Sequence, residues 1–225
     1  MRVAALYDVH GLAPALEAVL ADVARADVDA VVFGGDLIWG PWPRECLELA
    51  RSAGSHVRFV LGNTDREALT DKEDPSAAWV QDRLTHDERA FVLAWPLTVS
   101  IDDALFCHAT PRSDEEVVTP ISPEERWQDA LRGVAEHTVV CGHIHFQYDE
   151  EHAGHRVVNP GSIGRPNIRA AAWWAVVGDE IELRTTEYDV ARTIEAVRAG
   201  GFPRPEFADD LESPPAYERL LTRWR

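Results

Sequence analysis

An apolar run at residues 3–7, Val-Ala-Ala-Leu-Tyr, stops at Asp8-Val9-His10-Gly11, and beyond it Leu12, Leu16, Val19, Leu20 and Val23 recur at helical spacing. The pattern predicts a strand, a polar loop and a helix. It repeats: residues 29–36 predict a second strand, residues 44–52 a helix, and residues 57–63 a third strand. Strands that alternate with helices in this way form a parallel α/β sheet, with each strand ending in a polar cluster.

Helices follow over residues 76–84 and 87–94, then the strand-like run Pro-Leu-Thr-Val-Ser-Ile and a further strand that ends at His108. A helix over 123–133 precedes Thr-Val-Val-Cys-Gly-His-Ile-His. After residue 155, three alternating runs read as an antiparallel meander, trailed by a helix at 189–199 and a Pro-rich, acidic tail. No internal repeat or linker marks a second domain, so the expectation is one domain over 1–225, with 200–225 as a C-terminal extension.

The start of the chain reads as a first strand, not a signal peptide, and no run of 18 apolar residues predicts a membrane span. Three cysteines, Cys46, Cys107 and Cys141, have no C-x-x-C spacing, which favours a reducing, cytoplasmic setting over a disulfide framework. A formal charge of −17 excludes long nucleic acids as natural partners. An anionic substrate would have to be attracted by something local, and a metal can do that.

The polar clusters at the predicted strand ends are Asp8 with His10, Gly35-Asp36, Gly62-Asn63-Thr64-Asp65, His108, and Gly142-His143-Ile144-His145. The sequence reading places them at one edge of one sheet, where open α/β sheets carry their sites. Counted as ligands they are Asp8, Asp36, His10, His108, His143, His145 and Asn63, an oxygen and nitrogen set without thiolate. That set suits Mn, Fe, Zn, Ni or Co, and seven ligands exceed what one tetrahedral ion takes. Two metal ions about 3.5–4 Å apart are the economical reading.

These five motifs, in this order, resemble the calcineurin-like metallophosphoesterase superfamily, with its pattern DxH, GD, GN, H and GHxH. The resemblance covers roughly residues 1–165. It is nearest to the small bacterial and archaeal phosphodiesterases, which share DxHG before a Leu-rich helix and a late segment like Asn159-Pro160-Gly161-Ser162. It implies a four-layer αββα sandwich of two mixed β-sheets flanked by helices, with the meander supplying much of the second sheet. It also implies that Asp8, His10 and His145 hold one ion, that Asn63, His108 and His143 hold the other, and that Asp36 bridges them. The activity implied is hydrolysis of a small phosphodiester by a metal-bridging hydroxide, with Asp36, Asn63 and His108 as the catalytic set and manganese the first choice of metal. A phosphomonoesterase or phosphoprotein phosphatase with the same centre is the alternative. A non-catalytic scaffold, like the retromer subunit of this fold, is the second, and the filled ligand set argues against it.

One position departs from the family pattern. Many members carry His after the motif Asn, where it can protonate the leaving oxygen, but here the residue is Thr64, a poor general acid. General acid catalysis contributes about 10²–10⁴-fold, so Thr64 biases the reading toward diesters or good leaving groups. Asp65 is expected to orient a ligand histidine as its acceptor. Tyr7 replaces a common Ser and carries no functional expectation.

Asn63, Thr64 and Arg112 are the substrate-binding candidates. Arg165 and Asn167 also lie in a loop that could touch a phosphate, although an arginine among acids is ordinarily part of a solvated surface, and that reading is favoured for Arg112 as well. Trp39 and Trp42 read equally as a cleft wall or as core. Cys107 and Cys141 read as core filling, and His56, His86, His137, His152 and His155 as surface or loop residues.

Overall fold

The computed structural model describes residues 1–166 and 168–215. Strand β1 (Val3–Leu6) leads to helix α1 (Ala13–Val23), β2 (Ala30–Phe33), α2 (Pro43–Arg51) and β3 (Val57–Phe59). Three helices follow, α3 (Asn63–Thr70), α4 (Pro75–Arg83) and α5 (His86–Leu93), then β4 (Thr98–Ile101), β5 (Ala104–Cys107), α6 (Glu124–Ala130) and β6 (Thr138–Val140). The chain continues through β7 (Gln147–His152), β8 (His155–Pro160), β9 (Ala172–Val177) and β10 (Ile181–Thr186) to α7 (Val190–Gly200) and α8 (Glu206–Glu212).

The strands form two five-stranded mixed sheets, ordered β10-β9-β1-β2-β3 and β4-β5-β6-β8-β7. They pack face to face because their central strands are apolar on both sides, as the period of two requires. In β1, Ala4 and Leu6 join the core under the helices, whereas Val3 and Ala5, continued by Tyr7, face the other sheet. The second sheet does the same: Ala104, Phe106 and Val140 point to the inter-sheet core, while Leu105, Cys107 and Val139 pack outward with Trp127 of α6. The result is the four-layer sandwich of helices, sheet, sheet and helix.

Two sequence expectations are corrected. The candidate ligands do not come from one sheet: β1, β2 and β3 belong to the first and β5 and β6 to the second, so the polar edge is where two sheets meet. The runs after residue 155 are not one meander either. Strand β8 pairs parallel to β6 and antiparallel to β7, whereas β9 and β10 form a hairpin that joins β1 of the first sheet. Alternation reports that a segment is extended, and only long-range pairing decides which sheet receives it.

Tyr7 fastens the two sheets at this edge. Its buried hydroxyl donates to the Val140 carbonyl at 3.0 Å across the sandwich. Its ring fills the space over Gly34, where a Cβ would sit 1.9 Å from Tyr7 Cε1, so residue 34 has to be glycine.

Residues beyond 200 take part in the first core through buried Phe202, Phe207, Ala208 and Leu211. Arg204 anchors them, donating to both carboxylate oxygens of Asp74 at 3.0 Å, and Asp74 also caps α4 by accepting from Ser76 N at 3.0 Å.

Candidate metal centre

Each ligand-bearing turn follows a strand so closely that its backbone must reverse within one or two residues. Asp8, His10, Asp36, His143 and His145 accordingly hold φ of 53°, 47°, 55°, 67° and 66°. The left-handed region is unfavourable for a residue with a Cβ by roughly 1–2 kcal/mol, and such strain is retained where surrounding contacts over-determine it.

Those contacts are visible. Asp8 N donates to Gly35 O at 3.1 Å and His10 N to Asp36 O at 2.8 Å, which binds the first turn to the second. Gly142 N donates to His108 O at 2.7 Å, and Asn159 Nδ2 donates to Gly142 O at 2.8 Å. His143 N donates to Asp8 Oδ2 at 3.1 Å, which joins the two sheets at the centre. Gly62 comes so close to the second turn that a Cβ there would lie 2.2 Å from Asp36 N.

Two groups of side chains result. Asp8, His10, Asp36 and His145 bring one donor atom each to within 4.8 Å of one another. His10 Nε2 and His145 Nε2 are 3.1 Å apart, and Asp8 Oδ1 is 3.2 Å from His145 Nε2. In the second group, His108 Nε2 lies 3.2 Å from Asn63 Oδ1 and 3.4 Å from Asp36 Oδ1, while the His143 ring stands edge-on to His108 with centroids 5.2 Å apart. Asp36 belongs to both: Oδ1 faces His108, and Oδ2 is 3.6 Å from His10 Nε2. Thr64 N holds the same carboxylate from behind, donating to Oδ1 at 2.9 Å.

Protonation follows from this packing. Burial raises the Asp8 and Asp36 carboxyls, yet the histidines facing them outweigh it and both end below the ordinary carboxylate value. Burial drives His10 down to about 3, and burial with the neighbouring His108 charge takes His143 down to about 4. Burial also opposes a charge on His108, but Asp36 outweighs it and carries that imidazole up to about 10. His108 Nδ1 donates to Gly34 O at 2.9 Å, which orients the ring and turns Nε2 toward Asp36.

The donor set fits a metal ion. Two ionised carboxylates and the neutral imidazoles of His10 and His143 are in the protonation states that ligate, whereas His108, held as a cation by Asp36, would release its Nε2 proton when an ion binds.

The other sequence candidates fall elsewhere. Arg112 donates to Glu116 at 2.6 and 2.8 Å and pairs with Asp129 at 2.7 Å, so its guanidinium is held by carboxylates. Asp65 does not orient a histidine: it accepts from Leu37 N and Ile38 N at 2.9 Å and from Gly62 N at 3.3 Å, joining the two motif turns. Its carboxyl rises to about 7 through burial and the nearby Asp36 charge. Thr64 Oγ1 is buried and finds no hydrogen-bond partner among the described residues. Trp39 meets the His10 ring edge-on at 5.7 Å. Asn167 lies outside the described residues. Sequence reasoning missed Tyr7 as the fastener of the sheets, and the glycines opposite it, Gly34 and Gly142, were the signal for a close approach.

Comparison with known proteins agrees with this architecture. Residues 1–179 match the calcineurin-like phosphoesterase superfamily domain. An uncharacterised protein of Methanocaldococcus jannaschii, MJ0912, is 24% identical over 89% of this chain and 93% of its own length. The crystal structure of a metallophosphoesterase from Sphaerobacter thermophilus superposes with a TM-score of 0.79 at 24% identity, over 95% of this chain and 99% of that one. A symmetrical bis(5'-nucleosyl)-tetraphosphatase from Pectobacterium atrosepticum is 44% identical over 64 residues, 28% of this chain and 23% of that protein.

Proposed function

The chain belongs to the calcineurin-like phosphoesterase superfamily, and from that premise we propose that it is a hydrolase which cleaves a small phosphodiester with two divalent transition-metal ions, manganese first among them. Asp8, His10 and His145 would hold one ion, Asn63, His108 and His143 the other, and Asp36 both. The observation that carries this reading is the placement of Asp36, whose two oxygens face histidines of different groups, at 3.4 and 3.6 Å.

When bound, such a pair of ions neutralises phosphoryl oxygens and lowers the pKa of water, so that a nucleophile is available near neutral pH. The protein's own part is to hold the donors rigidly. Asp36 is fixed by Thr64 N and by the turn that Asp65 braces. With Asn63 Oδ1 turned to His108 and one Nδ2 hydrogen given to Glu67 Oε1 at 3.4 Å, the second Nδ2 hydrogen would donate to a phosphoryl oxygen that gains charge. Thr64 offers no acid for the leaving group, which favours a leaving oxygen that departs without one.

Phosphoanhydrides meet that condition, because a phosphate leaves more easily than an alkoxide. The 64-residue similarity to a bis(5'-nucleosyl)-tetraphosphatase favours this second reading of the substrate. The test is hydrolysis of paired aryl phosphodiester and phosphomonoester substrates by metal-stripped protein, with Mn²⁺, Ni²⁺, Co²⁺, Zn²⁺ or Mg²⁺ restored. Turnover of the diester that returns with metal is expected. A clear preference for the monoester would instead require a proton donor that Thr64 does not provide.

A further inference from the structure

A cation stands beside the candidate centre. Arg165 ends a loop after β8 that is tied to the metal edge: Ile163 N donates to Tyr7 O at 3.1 Å, Gly164 N to Asp8 O at 3.0 Å, and Ser162 Oγ to Asp8 O at 2.8 Å. Arg165 N itself donates to Ser162 Oγ at 2.8 Å. The backbone that carries this arginine is therefore referenced to a candidate ligand.

The side chain reaches back toward the same place. Arg165 Cζ lies 5.8 Å from the Trp39 ring centroid, and the Trp39 ring lies 5.7 Å from that of His10. A single indole thus spans from candidate ligand to guanidinium, and the Arg165 charge acts on His10. The C-terminal segment grips the far side: Nη2 donates to Asp210 Oδ2 at 2.6 Å, and Cζ is 6.0 Å from the Phe207 ring. About a quarter of the side-chain surface, 26%, remains accessible.

Anchoring α8 is the plain explanation of the Arg165–Asp210 pair. Ion pairs as exposed as this one, with Asp210 42% accessible, add little to stability. That does not explain why the arginine is fixed by a braced loop, two aromatic rings and a carboxylate at the rim of the centre. A chain of net charge −17 repels anions, and a preorganised guanidinium beside the ions would give a second anionic group its own bidentate donor.

We propose that Arg165 is a specificity-determining residue which binds a second phosphate of the substrate, so that the natural substrate is an organic ester or anhydride with at least two phosphate groups. The inference rests on the hydrolase reading above. Trp39 and Phe207 orient the guanidinium, Asp210 holds it, and residues 202–211 form the wall that carries Phe207 and Asp210.

The test compares wild type, Arg165→Gln, Arg165→Lys and Asp210→Ala on bis(p-nitrophenyl) phosphate, which has a single anionic group, and on diadenosine tetraphosphate. In Arg165→Gln, kcat/KM for the tetraphosphate is expected to fall roughly 10- to 100-fold further than for the diester, the equivalent of one charged hydrogen-bonded pair. The loss should lie mainly in KM, Arg165→Lys should recover part of it, and Asp210→Ala should raise KM less. Equal losses on both substrates would make Arg165 a structural residue and overturn the inference. Inorganic pyrophosphate and orthophosphate, titrated by calorimetry into Mn²⁺-loaded protein, separate this failure from that of the hydrolase reading. Pyrophosphate binding that is tighter than orthophosphate binding and depends on Arg165, without turnover, would overturn the hydrolase reading alone. Diester turnover with no Arg165-dependent preference for pyrophosphate would overturn this inference alone.

Discussion

At the scale of single residues, the candidate centre is assembled against backbone preference. Asp8, His10, Asp36, His143 and His145 all adopt left-handed φ, and buried hydrogen bonds between turns hold them there. Asp65 illustrates how much one side chain carries. It satisfies Leu37 N, Ile38 N and Gly62 N, and thereby sets the turns that present Asp36 and Asn63. Asp65→Ala would leave three buried donors without an acceptor, each worth about 1–3 kcal/mol. The expected outcome is a lower Tm and a metal affinity reduced by roughly 10–100-fold, measured by thermal unfolding and calorimetric metal titration. Unchanged affinity in a folded variant would show that Asp65 does not position Asp36. The ligand types were legible in the sequence because Asp, His and Asn directly follow apolar runs. The partners of Asp65 were not, since three backbone amides from two distant turns leave no side-chain signature.

Among elements, legibility tracks whether the signal is local. Strands β1, β2, β5 and β6 announce themselves as short apolar runs, and α4 and α5 carry Asp74 and Thr85 as caps. Strand β7, Gln-Tyr-Asp-Glu-Glu-His, was not read as a strand. It is the edge of its sheet, where charged residues are the usual protection against further pairing. Helix α8 was hidden in a Pro-rich, acidic stretch, because its formation depends on burying Phe207 and Leu211 against Trp39 and its neighbours. Asp74 gives this packing a pH dependence. Burial raises its carboxyl, but the Ser76 and Arg204 hydrogen bonds outweigh that and leave it below the ordinary value. A depressed carboxyl contributes stability above its unfolded pKa, about 3.9, and loses it as pH falls through the folded value. The protection of the amides in residues 202–212 against hydrogen exchange, taken relative to their intrinsic rates at each pH, should therefore be high near neutral pH and fall below about pH 4. Asp74→Ala should abolish that step and lose about 1 kcal/mol with the α4 cap. Protection in the wild type that stays independent of pH across that range would contradict the role given to Asp74.

For the whole molecule, the consequential facts are two sheets sharing one polar edge and a net charge of −17. The net charge of −17 should slow the approach of an anionic ester, and screening should relieve it. The Debye length falls from about 30 Å at 0.01 M salt to about 8 Å at 0.15 M. KM for an anionic diester is thus expected to fall, by roughly twofold or more, as NaCl rises over this range. A KM that rises with salt would mean that local positive charge governs the encounter. The proposed centre turns on Asp36, whose carboxylate oxygens face His108 and His10 and would join two metal half-sites. The most direct measurement is electron paramagnetic resonance of the Mn²⁺-loaded protein, with metal content determined on the same sample, for wild type and Asp36→Asn. Two ions per chain with an exchange-coupled spectrum in wild type, and loss of the coupling in Asp36→Asn, is the expected result. One ion per chain, or two ions with the six-line spectra of isolated Mn²⁺ in the wild type, would contradict it.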